Sequence, residues 1–393
     1  MFSRRTHWEL LPNRFAEALH AAQSAGRAVL DLTLSNPTRS GFVYGRETLL
    51  GALSNESWLD YDPQPKGLPS ARESVASYYR QRGHEVNHER LMLTTSTSEG
   101  YAYVFRLLAD PDDEVLIPKP SYPLFEFLAG LEDVKLVSYP LLYDHGWLVD
   151  LHSLQQSLSE KTRAIVLVHP NNPTGSYVSV EERWQLNRLC AERGIALIVD
   201  EVFLDFSHDP ERRASFASNS ETLTFTLSGL SKISGLPQMK LAWIVVTGPG
   251  QMAQEAISRL EIIADTYLSV SSPIQLAAPT LLEQRNCVQP QLMERIRSNV
   301  QAFDRQLAKS YSCTRLEIEG GWYAVIRVPV TQSDEDLAIA LLREGGVLVH
   351  PGHFYDFPSE GYLVLSLITK PEVFSAGISR IVDFTNQAPF IRR

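Results

Sequence analysis

Between about Leu91 and Val246 the sequence alternates short apolar runs with helical stretches, and this rhythm restricts the fold more than any other feature. The apolar runs are Leu91–Thr95, Glu114–Lys119, Lys135–Leu141, Arg163–His169, Ala196–Val202 and Lys240–Val246, and Glu99–Leu108 and Val180–Arg193 are helical stretches between them. The runs are continuous rather than alternately apolar and polar, so the strands they form are covered on both faces. Helices between successive strands make crossovers, and crossovers make a mostly parallel sheet. In such sheets ligands collect beyond the carboxyl ends of the strands. Polar residues at those ends are therefore where chemistry is expected.

After residue 249 the texture changes to long helical stretches, Gln251–Tyr267 and Gln291–Ser310. A smaller set follows: Arg315–Val328, a helix Asp334–Arg343, Val347–His350, Gly361–Leu367 and a closing helix from Pro371. The first forty-odd residues precede the regular alternation and are expected to pack with this set. They open on an amphipathic helix with Trp8, Leu11, Phe15 and Leu19 on one side. The expected fold class is α/β: a large domain with a mostly parallel sheet sandwiched by helices, plus a smaller α+β domain built from both chain ends. The expected division is 1–45 for the N-terminal arm and part of the small domain, 46–285 for the large domain and 286–393 for the small C-terminal domain.

Composition excludes several classes. With 44% hydrophobic and 21% charged residues among 393, the chain has ordinary globular composition. No stretch reaches the roughly 18 consecutive apolar residues of a membrane helix. The net charge of −10, from 36 basic and 46 acidic residues, argues against a nucleic-acid partner. Arg4, Arg5 and Arg14 are interrupted by Glu9 and Glu17, and no apolar signal core follows them. Cys190, Cys287 and Cys313 lie far apart, without metal-ligand spacing, so no metal is expected and a cytoplasmic, reducing setting is.

Four strand ends carry polar residues where the apolar rhythm stops. Leu93-Thr-Thr-Ser-Thr-Ser-Glu-Gly100 opens a helix with a run of hydroxyls, either an anion site for a phosphate or an N-cap with spare serines. His169-Pro-Asn-Asn-Pro-Thr-Gly175 follows an apolar strand and reads equally as a tight loop. Asp200 ends the apolar run Ile198-Val-Asp200, where a carboxylate is unfavourable unless it meets a cation; a neighbouring Arg or Lys is the ordinary partner. Lys232 lies in Leu227-Ser-Gly-Leu-Ser-Lys-Ile233, among apolar and small residues. A desolvated lysine there would be the amine that forms a Schiff base with an aldehyde; a partly exposed lysine is the plainer reading.

Taken in order, Asn172-Pro-Thr-Gly175, Asp200-Glu201 and Ser231-Lys232 resemble the class I/II aminotransferases of the fold-type I pyridoxal phosphate enzymes, the aspartate-aminotransferase-like group. The similarity runs from about Leu32 to Ile381. It implies pyridoxal 5′-phosphate as cofactor, with Lys232 as the Schiff-base lysine and proton carrier and Asp200 as partner of the pyridinium nitrogen. It implies Asn172 on the ring's phenolic oxygen, Ser96, Thr97 and Ser98 around the phosphate, and Tyr122 on the ring face. Tyr61 matches a tyrosine that reaches a neighbouring subunit's phosphate, which implies a homodimer with sites at the interface. The implied reaction moves an amino group from an amino acid or related amine to a 2-oxo acid, both small molecules.

Three positions depart from that pattern. Phe203 stands where a tyrosine usually donates to the phenolic oxygen, and Lys240 where an arginine usually grips the phosphate in bidentate fashion. Val364 stands where an arginine usually binds the substrate's carboxylate. Arg39, in Ser35-Asn-Pro-Thr-Arg39, is a candidate replacement on a segment resembling the substrate-contacting N-terminal loop, or else a surface arginine. Without the usual clamp, another reaction on the same scaffold (β-elimination, racemisation or a cyclopropane-forming elimination) stays open. A non-catalytic binding module would lack the lysine or carry an added DNA-binding domain, and this chain does neither.

Overall fold

The computed structural model of the protein describes residues 1–209 and 214–387, so the end of the 286–393 segment lies outside the described residues. After a short strand β1 (Leu30–Asp31), eight strands form one sheet: β2 (Leu91–Thr94), β3 (Glu114–Lys119), β4 (Lys135–Tyr143), β5 (Trp147–Val149), β6 (Thr162–Val168), β7 (Ala196–Asp200), β8 (Thr224–Gly229) and β9 (Ala242–Thr247). Their spatial order is β2-β9-β8-β7-β6-β3-β4-β5. Strands β8, β7, β6, β3 and β4 run parallel. Strand β9 lies antiparallel between β2 and β8, and β5 is an antiparallel edge on β4. The sheet is thus mostly parallel.

The continuous apolar runs are explained by this placement. In β6, Ala164 and Val166 pack with helices Thr97–Leu108 and Gly250–Asp265 on one face. Ile165 and Leu167, alternating with them in sequence, pack with helix Val180–Arg193 on the other. Ile165, Val166 and Leu167 are at most 1% exposed, and each such burial contributes about 1.5–3 kcal/mol. Helix Val180–Arg193 carries its boundaries in its sequence. A reciprocal capping box links Ser179 and Glu182 at its start, and Gly194 takes the left-handed conformation at its end.

Strand β8 escaped the list of apolar runs because it reads Thr-Phe-Thr-Leu-Ser-Gly. Its hydroxyls are buried all the same: Thr224 bonds the Thr222 carbonyl at 2.9 Å and accepts from the Asn219 amide at 2.8 Å. Both partners come from the turn that leads into the strand.

The rest of the chain forms a smaller α+β unit with β10 (Thr314–Arg315), β11 (Tyr323–Arg327), β12 (Val347–Leu348), β13 (His350–Pro351) and β14 (Tyr362–Ser366). An antiparallel sheet has the order β10-β11-β14-β13, while β1 pairs with β12. Phe15 and Leu32 from the chain start share one core with Phe303, Trp322, Leu363 and Phe374. The single run expected over 315–328 is split into β10 and β11, with Gly320 and Gly321 in the intervening loop. The long helix begins at Arg285 rather than Gln291.

The opening helix requires a correction. It spans Arg14–Ser24, capped by the Asn13 side chain, and buries Phe15, Ala18 and Ala22. Trp8 and Leu11 precede it and are exposed, Trp8 meeting the Phe127 ring edge-on. Pro12 explains the difference, because it disfavours helical geometry at Leu11.

Candidate active site

The carboxyl ends of the parallel strands converge on a cavity of about 510 Å³. Lys232 follows β8, Asp200 ends β7, Asn172 lies in the loop after β6, and Tyr122 follows β3. Ser96, Thr97 and Ser98 open the helix after β2, and Ser35 comes from the chain start. All eight residues line this one cavity.

Ser96 is the N-cap of helix Thr97–Leu108, its hydroxyl accepting from the Glu99 N–H at 3.1 Å. Glu99 reaches back to the Thr95 N–H at 2.7 Å. Thr97 and Ser98 occupy the first turn, where backbone N–H groups have no intrahelical acceptor and attract anions. The cap and the helix N-terminus that opens on the cavity are the same structure.

Asp200 accepts from the Tyr101 hydroxyl at 3.2 Å and the Val202 N–H at 3.0 Å. The ordinary alternative, an ion pair with a neighbouring Arg or Lys, is not formed among the described residues. Burial pushes its pKa up to about 6, opposed by those two donors and by the charge of Lys232. The same desolvation pushes Lys232 down to about 8, against the attraction of Asp200. The Lys232 Nζ lies 5.0 Å from the centre of the Trp322 ring and 5.4 Å from that of Phe203. An amine with lowered pKa above aromatic rings is closer to its nucleophilic form than a solvated lysine.

Asn172 is buried, and its Oδ1 has no partner among the described residues. Its loop is held by the Gly175 N–H on the Asn171 carbonyl at 2.8 Å and by the Asn171 N–H on the Ser176 carbonyl at 2.8 Å. Gly175 has φ +75°, and a Cβ there would collide with the Gly320 carbonyl oxygen. A tight loop and a polar site are again one feature. Tyr122 lines the cavity at 46% exposure, its phenol pushed up by burial and by Asp200.

Three expected site residues lie outside the cavity lining. Lys240 is exposed at the left-handed end of the turn Pro237–Met239. Tyr61 is 75% exposed in a separate groove with Pro63, Leu268 and Val270. Arg39 is exposed on the turn Pro37–Arg39. Val364 is buried in β14 between Val325 and His350.

The cavity also includes Tyr101, Tyr323, His350, Phe354 and Tyr355, which sequence reasoning did not single out as site residues. Tyr101 sits one turn past the hydroxyl run, the spacing that returns a side chain to the same helix face. The others arrive from the small unit, and no spacing in the chain links them to β7 or β8.

A half-buried amine and a half-buried carboxylate lining one cleft, with a helix N-terminus opening on it, define a class: α/β proteins whose polar site lies at the carboxyl edge of a parallel sheet. The chain belongs to the family of class I and II aminotransferases, whose sequence profile matches residues 35–374. A glutamate-pyruvate aminotransferase of Escherichia coli K12 is 30% identical over 262 residues, covering 66% of this chain and 65% of that enzyme. The match therefore spans just under two thirds of that relative's length. The Haemophilus influenzae glutamate-pyruvate aminotransferase is 27% identical over 94% of this chain and 93% of its own. Among solved structures, an alanine aminotransferase from Pyrococcus furiosus superposes with a TM-score of 0.87 at 20% identity, covering 98% of this chain and 99% of its own. An aspartate aminotransferase from Thermotoga maritima gives 0.83 at 22% identity, over 98% of this chain and all of its own.

Proposed function

We propose that the protein is a pyridoxal phosphate-dependent aminotransferase that moves an amino group from an amino acid or related amine to a 2-oxo acid. The observation that carries this reading is that Lys232 and Asp200 line one cleft, an amine pushed down to about 8 and a carboxylate that forms no close ion pair among the described residues. The residues present fit the cofactor. Ser96, Thr97 and Ser98 suit its phosphate, Tyr122 its ring face, and Asn172, with a buried and unpartnered amide oxygen, one of its polar edges. Lys240 and Tyr61 lie outside this chain's cavity lining, so we assign Lys240 to the phosphate at its outer edge and Tyr61 to the phosphate of a second copy.

When bound, pyridoxal phosphate supplies an electron-poor ring that takes up the electron pair left by a substrate's Cα proton. Asp200 keeps positive charge at the ring nitrogen, and a cation there in turn favours ionised Asp200. The Tyr101 hydroxyl and Val202 N–H aim the carboxylate. Lys232 Nζ would hold the cofactor through its aldehyde carbon and, once an incoming amine displaces it from that carbon, the freed amine would carry the Cα proton to the far side of the nitrogen. Ser35 and Arg39 form the entrance segment toward substrate.

The named aminotransferase relatives favour transfer over β-elimination, racemisation or cyclopropane-forming elimination. The exposed Trp58, Leu59 and Tyr61 support a homodimer with sites at the interface, and three free cysteines suit a cytoplasmic setting. No helix among the described residues is long and apolar enough to cross a membrane. Borohydride reduction and peptide mapping test the reading: a pyridoxyl label is expected on Lys232, and a label elsewhere overturns the assignment.

A further inference from the structure

The part of the cavity contributed by the small unit and the chain start is built from uncharged hydrogen-bonding groups. Tyr323 stands on β11, His350 on β13, and Tyr355 ends the turn Gly352–Tyr355. The Tyr323 and Tyr355 ring centres are 6.4 Å apart. The His350 Nδ1 lies 3.0 Å from the Tyr355 hydroxyl, and the Ser35 side chain acts on the Tyr323 phenol from the same lining, opposing the rise that burial causes. All four residues line the same cavity as Lys232 and Asp200. Burial keeps these groups neutral near pH 7, raising Tyr323 to about 12 and lowering His350 from its ordinary value against the pull of Asp31.

The cations are arranged differently. Lys232 is the one lysine in the lining, which contains no guanidinium among the described residues. Under the reading above, Lys232 is committed to the cofactor. Arg39 and Lys240 are exposed outside the lining, and β14 presents apolar Val364 beside His350. A carboxylate entering this space accepts hydrogen bonds but donates none, and a desolvated anion without a cation is strongly disfavoured. A hydroxyl or carboxamide both donates and accepts, which matches a wall of phenols, an imidazole and a serine hydroxyl that can do the same.

We infer, on the basis of that functional reading, that the preferred partner of at least one half-reaction bears a neutral hydroxyl or carboxamide, rather than a carboxylate, on its amine-bearing carbon, held by Tyr323 and Tyr355. The remaining half-reaction, with a 2-oxo acid, then binds its partner more weakly.

The test uses the holoenzyme and three amines that have no Cα proton to lose: 2-amino-2-methylpropionic acid, its amide, and 2-amino-2-methylpropan-1-ol. Binding is followed by the change in visible absorption, so affinity is separated from turnover. The amide or the alcohol is expected to bind at least about tenfold more tightly than the acid, the scale of one net hydrogen bond. Tyr323→Phe is expected to remove about fivefold to tenfold of that affinity and so to narrow the preference for the amide or alcohol over the acid. If Tyr323→Phe does not fold, Ser35→Ala serves as the second variant, with the same direction expected. Equal or tighter binding of the acid, or no binding of any of the three, overturns the inference. Borohydride labelling on the same preparation separates the failures. A label on Lys232 with acid-selective binding sinks this inference alone, whereas no label on Lys232 sinks the functional reading and the inference with it.

Discussion

The Lys232 Nζ stands 5.4 Å from the centre of the Phe203 ring, so the amine faces an aromatic surface where a tyrosine would present a hydroxyl. Phe203 is itself packed edge-on against Trp322 at 5.3 Å, which limits the directions its ring can take. The ring attracts a protonated amine but donates no hydrogen bond.

Phe203→Tyr is therefore expected to lower the pH at which Lys232-bound cofactor loses its proton. The added hydroxyl would stabilise the deprotonated form by donating to the phenolic oxygen. A hydrogen bond to a charged group is worth roughly 1.5–3 kcal/mol, about one to two pKa units, less if water already fills the gap. A spectrophotometric titration of both proteins measures it. An unchanged or higher titration point in the tyrosine variant would show that position 203 does not address the cofactor.

Lys232→Ala is expected to abolish turnover and borohydride labelling while the protein still folds and binds pyridoxal phosphate non-covalently. Helix Leu230–Ile233 places Lys232 in the cavity, with Leu230 and Ile233 on either side in the core, so the side chain is not what holds the backbone. Far-ultraviolet circular dichroism with peptide mapping after reduction checks both halves of the statement.

Asp200→Ala is expected to lose activity by orders of magnitude more than Asn172→Ala, because the carboxylate holds ring charge and the amide tunes one oxygen. Equal losses would mean the electron-sink role is misplaced. The cofactor-free protein should show the opposite effect on stability. Its Asp200 pKa is raised from 3.8 to about 6, so unfolding favours the ionised form. The resulting penalty is absent below about pH 4, grows between pH 4 and 6, and is fully present above. Asp200→Asn should then stabilise the cofactor-free protein by about 2 kcal/mol at pH 7.5, and the gain should shrink toward pH 4.5. Urea unfolding at the two pH values measures it.

Gly175→Ala is expected to destabilise the protein by roughly 2–4 kcal/mol and to weaken cofactor binding. The position combines φ +75° with a Cβ that would strike the Gly320 carbonyl oxygen, so relief requires moving the loop that carries Asn172 away from the small unit. Gly194→Ala supplies the comparison, since φ there is +66° with open space around the added Cβ. Urea unfolding should show the Gly175 variant as much the weaker of the two.

The sequence by itself determined the parallel sheet, because strands buried on both faces must be apolar at every position, as Ala164 through Val168 are. It also determined the strand-end residues Ser96, Asn172, Asp200 and Lys232, because a polar group interrupting such a run stands out locally. Tertiary structure alone decided the remainder. β8 hides Thr224 and Thr226 at the sheet centre, which no local propensity signals. Tyr323, His350 and Tyr355 meet Lys232 only because β11 and β13 of the small unit pack over the large sheet's carboxyl edge. Tyr323 is dozens of residues from Tyr355 and hundreds from Ser35, and the burial that neutralises these groups exists only where the two units pack together around the cleft.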